Sequence, residues 1–293
     1  MRWFGTALLC IFLAACERAP SQPVVAWVHG DEATPIVGQL EGFTDETGIP
    51  LEIRFGDSAA LTDELIAGRG SPPPDILVTS NVADIWRAAE EGALRPIQSE
   101  AFDAIADAQK DPDRLWSGVR VRLHFVVSRD DPRGIAATYD DLGSVEFAGK
   151  LCLSSSQLPV NRSLIAFLIN DRGNRPAERL VRRWNRNLAL PPFATEEQLI
   201  AAVRDGRCAF GIASSSADFG GLLSHSVKPH YFDVSAVGVA RHAVQPESAQ
   251  RLVGWLLASR TDYFKGETQL RTVGIAGWRD EEARLLAERA GYR

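Results

Sequence analysis

Residues 24–92 alternate short β-branched runs with stretches of helical periodicity, and few architectures accept that rhythm. Residues 24–28 form an apolar run of strand length. Thr34-Pro35 then offers an N-cap followed by proline at the first helical position, and Ile36, Val37, Leu40 and Phe43 share one helical face. Gly48 and Pro50 close that helix, and Leu51, Ile53 and Phe55 alternate as a strand. Leu61, Leu65 and Ile66 mark a second helix stopped by Gly68 and Gly70. Residues 75–79 form a third strand, Asn81 caps a third helix, and Gly92 ends it. A β-α-β-α-β-α order of this kind predicts a layered α/β lobe.

The rest of the chain repeats the pattern more loosely. Residues 119–127 read as a long strand leaving the first lobe. Strands are predicted at 150–154, 209–213 and 233–239, and helices at 163–169, 195–203 and 246–258. Arg179, Arg182, Arg183 and Arg186 make a basic helix face of the kind that usually meets solvent. A last helix over 281–289 has Ala283, Leu285, Leu286 and Ala290 as its inner face. Trp27 and Trp116 fit equally well in the core or along a cleft.

The N-terminus addresses compartment. A short basic start precedes an apolar run far below the ~20 residues that span a bilayer. Leu13-Ala14-Ala15-Cys16 closes it with small residues before a cysteine, the lipobox pattern. On that reading residues 1–15 are removed as a signal peptide, Cys16 is acylated, and 16–23 form a polar, proline-containing tether. Cys152 and Cys208 then remain in the folded body; in an oxidising compartment they suggest a disulfide, with two buried thiols as the alternative. A net charge of -6 without a basic stripe argues against nucleic acid as a partner. There is no Gly-x-Ser-x-Gly elbow, phosphate-binding loop or His-Glu-x-x-His pair, so no enzymatic activity and no cofactor are expected.

Several segments together resemble a known family. They are residues 43–49 (FTDETGI), 74–79 (PDILVT), 84–94 (DIWRAAEEGAL), Trp116-Ser117-Gly118, Ser128-Arg129-Asp130, Tyr139-Asp140-Asp141-Leu142, Gly149-Lys150-Leu151-Cys152, Asp205-Gly206-Arg207-Cys208 and residues 238–243 (GVARHA). In order and spacing they are similar to the iron(III)-type periplasmic solute-binding proteins of ABC importers, over about residues 24–258. The resemblance implies an α/β, two-lobed periplasmic binding protein fold of class II, with crossover segments near 119–127 and 230–237 as a hinge. It places 24–118 and 236–293 in lobe 1, which takes both chain ends, and 119–235 in lobe 2. It also implies a monomer that holds a small-molecule ligand between the lobes, with an ABC permease as partner and the Cys16 lipid in the membrane.

The same resemblance implies tyrosine ligands for iron, and here the chain departs from it. The loop that would carry a tyrosine pair reads Ser214-Ser215-Ser216-Ala217-Asp218-Phe219. Another reads Ser154-Ser155-Ser156-Gln157-Leu158-Pro159-Val160-Asn161, and the early His-Tyr position falls near Asp31-Glu32. Arg122 matches an arginine that contacts an anion in some members, while His124 replaces the second arginine of that pattern. The residues left for a ligand site are Arg122, His29, Asp31, Thr79, Ser80, Asn81, Asn161 and the two serine runs, 154–156 and 214–216. Hydroxyls, amides and a guanidinium suit an anion, a zwitterion or a metal held inside an anionic chelate. Each serine taken singly reads equally as a cap or turn. His29, Asp31 and Glu32 form too small a set to define a metal site. A sensor or scaffold that kept the fold without transport is the alternative function.

Overall fold

A computed structural model describes residues 22–130, 136, 138–260 and 272–293. The lipobox, Cys16 and the start of the tether lie outside the described residues. Among the described residues no helix is long and apolar enough to cross a membrane.

The first lobe follows the predicted rhythm. Strand β1 (Val24–His29) pairs in parallel with β2 (Leu51–Gly56) and β3 (Ile76–Thr79). Helices α1 (Val37–Thr47), α2 (Ser58–Ile66) and α3 (Val82–Glu90) connect and follow these strands. Gly48 ends α1 in the left-handed region at φ 68°, where a side chain would be strained. Helix α1 starts two residues later than Pro35 suggested. Thr34 is spent instead on a turn, its Oγ1 accepting from the Asp31 N–H at 3.0 Å. Asn81 caps α3 as expected, its side chain accepting from the Asp84 N–H at 3.0 Å.

Strand β4 (Leu94–Arg95), helix α4 (Glu100–Asp103) and the long strand β5 (Ser117–Ser128) follow. The second lobe adds β6 (Leu151–Cys152), α5 (Pro159–Arg172), α6 (Asn174–Arg186), α7 (Glu196–Arg204), β7 (Phe210–Ser214) and β8 (Leu223–Ser226). Strand β9 (Phe232–Ala240) returns to the first lobe, and α8 (Pro246–Ala258), α9 (Gly274–Trp278) and α10 (Asp280–Ala290) complete the chain.

The two lobes share a sheet ordered β2-β1-β3-β9-β5-β7-β6, with β4 on β9 and β8 on β5. Two strands do the joining. The first half of β5 opposes β9, Arg120 to Leu123 against Ser235 to Phe232; from His124 onward it opposes β7. Strand β9 turns its other end to β3, Ala236 opposite Thr79. These are the two crossovers; β9 is buried throughout, and β5 is buried except at Arg120, Val121, Arg122 and Phe125. Cys152 and Cys208 form a disulfide with Cα atoms 5.9 Å apart, clamping β6 to the approach to β7.

The C-terminus departs from the expected division. Rather than staying with lobe 1, α10 packs on α5 and α6, and α9 wedges between α3 and α5. Trp86 of α3 lies so close to Gly277 that a β-carbon there would fall 2.6 Å from it. The apolar stripe of α10 explains the docking, with one change: Ala283, Leu286, Ala287 and Ala290 are buried, whereas Leu285 faces outward. Trp27 and Trp116 are core residues, 0% and 1% exposed.

Candidate functional site

Where β1, β5 and β9 reach the cleft, two adjoining chambers open. The larger, of about 310 Å³, is lined by His29, Gln39, Arg120, Arg122, Ser216 and Arg260 among others. The smaller, of about 190 Å³, is lined by Ser80, Arg122, Glu196, Ser214, Ser216 and the first turn of α5. Arg122 and Ser216 belong to both and form the wall between them.

Alternation along β5 sends Arg120 and Arg122 to the same face. They meet different surroundings. Arg120 is exposed in the chamber and has no salt-bridge or hydrogen-bond partner among the described residues. Arg122 is largely buried and already matched: Nη2 donates to Asp233 Oδ2 at 2.7 Å and to the Ser80 carbonyl. Asp233 is itself 0% exposed, and its Oδ1 accepts from the Val82 and Val234 N–H groups at 3.2 and 2.8 Å. The Arg122 guanidinium is therefore the neutralised half of a buried pair. Its Nε has no partner among the described residues. Arg260 enters from the end of α8 and donates to the Gly118 carbonyl at 2.9 Å and to Gln109 Oε1 at 2.5 Å.

His29, at the end of β1, sits on the chamber wall. Burial, and after it the positive charge of Arg122, holds its imidazolium form down to a pKa of about 4. At neutral pH it offers one ring donor and one ring acceptor. His124, the next residue on the Arg120–Arg122 face, is buried out of reach, its ring against the carbonyls of Val160 at 3.0 Å and Tyr231 at 3.4 Å.

Several predicted site residues serve the fold instead. Asp31 is an exposed turn residue whose Oδ1 accepts from Ala33 N–H at 2.9 Å, and it lines neither chamber. Thr79 is fully buried and donates to the Asn81 carbonyl at 2.8 Å. Asn81 is consumed by its cap and by Asp84 Oδ2, 2.7 Å from Nδ2. Ser154, Ser155, Ser156 and Asn161 form a closed knot: Asn161 Nδ2 donates to Ser154 Oγ and to the Ser155 carbonyl, both at 2.9 Å. The C-terminus ties it further, Ser156 Oγ donating to the Tyr292 carbonyl at 3.1 Å and Tyr292 Oη to the Ser154 carbonyl at 2.6 Å. None of the four lines a chamber. Ser80, Ser214 and Ser216 do reach the cleft, whereas Ser215 pairs with β5 through the Leu123 N–H at 3.1 Å.

Glu196 is the residue that sequence reasoning missed. An acidic residue in the first turn of a helix ordinarily reads as a partner for the helix dipole. Here its Oε1 accepts from Ser214 N–H at 2.5 Å and Oε2 from Ser214 Oγ at 2.6 Å, which turns the carboxylate toward the smaller chamber. Tyr139, Tyr231 and Tyr292 are all buried in the second lobe's core, and Tyr263 lies outside the described residues. Among the described residues no group of three histidine, cysteine, aspartate or glutamate side chains is placed to hold a metal ion.

The fold is that of a two-lobed solute-binding protein, and the chain is similar in sequence and structure to proteins of the iron(III) type. No family model matches the chain. It is 25% identical over 310 residues to iron uptake protein A1 of Synechocystis, covering 93% of this chain and 85% of that one. A Salmonella typhi periplasmic protein provisionally assigned to 2-aminoethylphosphonate binding is 29% identical over 161 residues, 53% of this chain and 46% of its own. Among solved structures, the Trichodesmium IdiA (FutA) protein in complex with iron and citrate superposes with a TM-score of 0.82 at 22% identity, covering 92% of this chain and all of that one.

Proposed function

We propose that the chain is an extracytoplasmic lipoprotein, anchored through Cys16, that delivers a small anionic or zwitterionic molecule, or a metal inside an anionic chelate, to the permease of an ABC importer. It works as a monomer, and the lobes close about β5 and β9 over the ligand. The observation that carries the reading is the charge of the larger chamber: Arg120 and Arg260 line it beside the Asp233-matched Arg122, and among the described residues no carboxylate does. A low-dielectric cleft of one sign concentrates ligands of the other. The three described tyrosines offer no phenolate to a bare ferric ion, so iron would travel here as a chelate whose outer face is anionic. That agrees with the iron-and-citrate complex of the Trichodesmium protein.

Calorimetry on the mature chain with citrate, iron(III)-citrate, phosphate and simple alkylphosphonates tests the reading. At least one class binds, and Arg120→Gln weakens it by roughly fivefold or more, the worth of a charge-assisted hydrogen bond. Thermal stability is unchanged in that variant, because Arg120 holds no structural partner among the described residues. Absence of binding by every class, with no thermal shift, would overturn transport and leave the sensor reading.

A further inference from the structure

The two chambers carry opposite signs, and the smaller one has a charge to spare. Its lining contains Arg122 and Glu196. Arg122 is already matched by Asp233 at 2.7 Å. Glu196 has no ion-pair partner among the described residues; both of its hydrogen bonds come from Ser214, a neutral group. An ionised carboxylate has about four acceptor positions. Two are filled by Ser214, and the residue lines the chamber.

The serine relay sharpens the polarity. An ionised carboxylate only accepts, so the Ser214 hydroxyl hydrogen is directed at Glu196 Oε2. The Ser214 and Ser216 hydroxyls lie 2.7 Å apart, and Ser216 must then be the donor between them. The lone pairs of Ser216, on the wall common to both chambers, are left for a ligand's own donor. Glu196 and Ser216 offer acceptors on this side of Arg122; on the other side, Arg120 offers donors.

We propose that Glu196 receives the ammonium group of a dipolar ligand whose anionic end lies against Arg120, so the cleft selects short amino acids of the ω-aminoalkyl phosphonate or carboxylate kind over the same anions without an amine. This rests on the reading of the cleft as an anion site and names its second contact. Ser214 holds the carboxylate in place, so little order must be imposed when the ligand arrives. A simple anion extending past Ser216 meets uncompensated negative charge and is disfavoured.

The test is a matched-pair titration of the mature chain with ω-aminoalkyl phosphonates and carboxylates of two- and three-carbon spacers, against the same chains ending in methyl. The amine-bearing member of at least one pair binds roughly tenfold tighter or more. In Glu196→Gln the acceptor for Ser214 N–H is kept and the charge is lost, and the preference falls to near unity while the methyl-ended anions bind as well or better. Equal affinity within every pair for the wild-type chain, or a preference that survives Glu196→Gln, overturns the proposal and leaves the anion reading standing. Failure of both members of every pair to bind overturns the anion reading and this proposal together. A Glu196→Gln chain with an altered circular dichroism spectrum is replaced by Glu196→Asp, which shortens the reach to the amine and must also reduce the preference.

Discussion

Two runs of three serines end neighbouring strands of the second lobe and come to opposite uses. Ser154 to Ser156 follow β6, Ser214 to Ser216 close and follow β7, and the two strands pair in parallel. The first run is sealed by Asn161 and by the carbonyl and hydroxyl of Tyr292. The second is braced from behind by Glu196 and leaves Ser216 open to both chambers. Hydroxyl content is the same in both, and both stand at the end of a strand. What differs is the partner brought up from elsewhere in the chain: an amide and the C-terminus in one case, a carboxylate in the other. A polar loop at a strand end becomes a site only when the fold leaves its hydrogen bonds incomplete.

The sharpest way to disturb the comparison is to uncouple the two strands. The Cys152–Cys208 disulfide closes a loop of sequence separation 56, and each cysteine stands shortly before one of the runs. Replacing both cysteines by serine should lower stability by about 4 kcal/mol in the loop-entropy account, read from urea unfolding. The loss should appear as a lower midpoint with an equal or steeper slope, since the denatured chain is freed to expand. A loss under about 1 kcal/mol would mean that β6 and β7 are held together by their packing alone.

A smaller effect separates structural hydroxyls from ligand-facing ones. Asn161→Ala strips the first run of its amide donor and leaves buried acceptors unmet, costing about 2–3 kcal/mol. Ligand affinity at the other run should change by less than about twofold, since that amide reaches neither chamber. A variant of normal stability and poor affinity would return the first run to the binding site.

How far the sequence could lead follows from the same residues. The strand–helix rhythm of residues 24–92 is written locally, in Gly48, Asn81 and the alternation of Leu51, Ile53 and Phe55, and it appears in the fold as read. The crossovers were legible from the family resemblance. The site was legible only in part. Arg122 was found, but the pairing that neutralises it lies 111 positions away and depends on the register of β5 against β9. Glu196 looks like any acidic residue in a first helical turn until β7 is set beside it. The stripe on α10 announced that the helix would be buried; the surface that buries it, α5 and α6, is a tertiary choice with no mark in the helix itself.

The comparison extends to pH. The sealed run is held by amide, hydroxyl and carbonyl groups, while Ser216 opens on the chamber that His29 also lines. In the unfolded chain His29 takes its proton near the ordinary value of 6.5; in the folded chain it does so only at about 4. Between those values the unfolded state holds the extra proton, so stability falls as pH drops through that window. The expected loss from His29 is about 2 kcal/mol between pH 7 and pH 5, measured as the wild-type loss in excess of a His29→Gln chain. Equal slopes in the two proteins would show that the imidazole is hydrated in the folded state. An anion bound beside Arg122 should offset the charge that helps depress His29, raise its pKa, and shrink the excess loss. An anion that left the slope untouched would have to lie away from the wall that His29, Arg122 and Ser216 share.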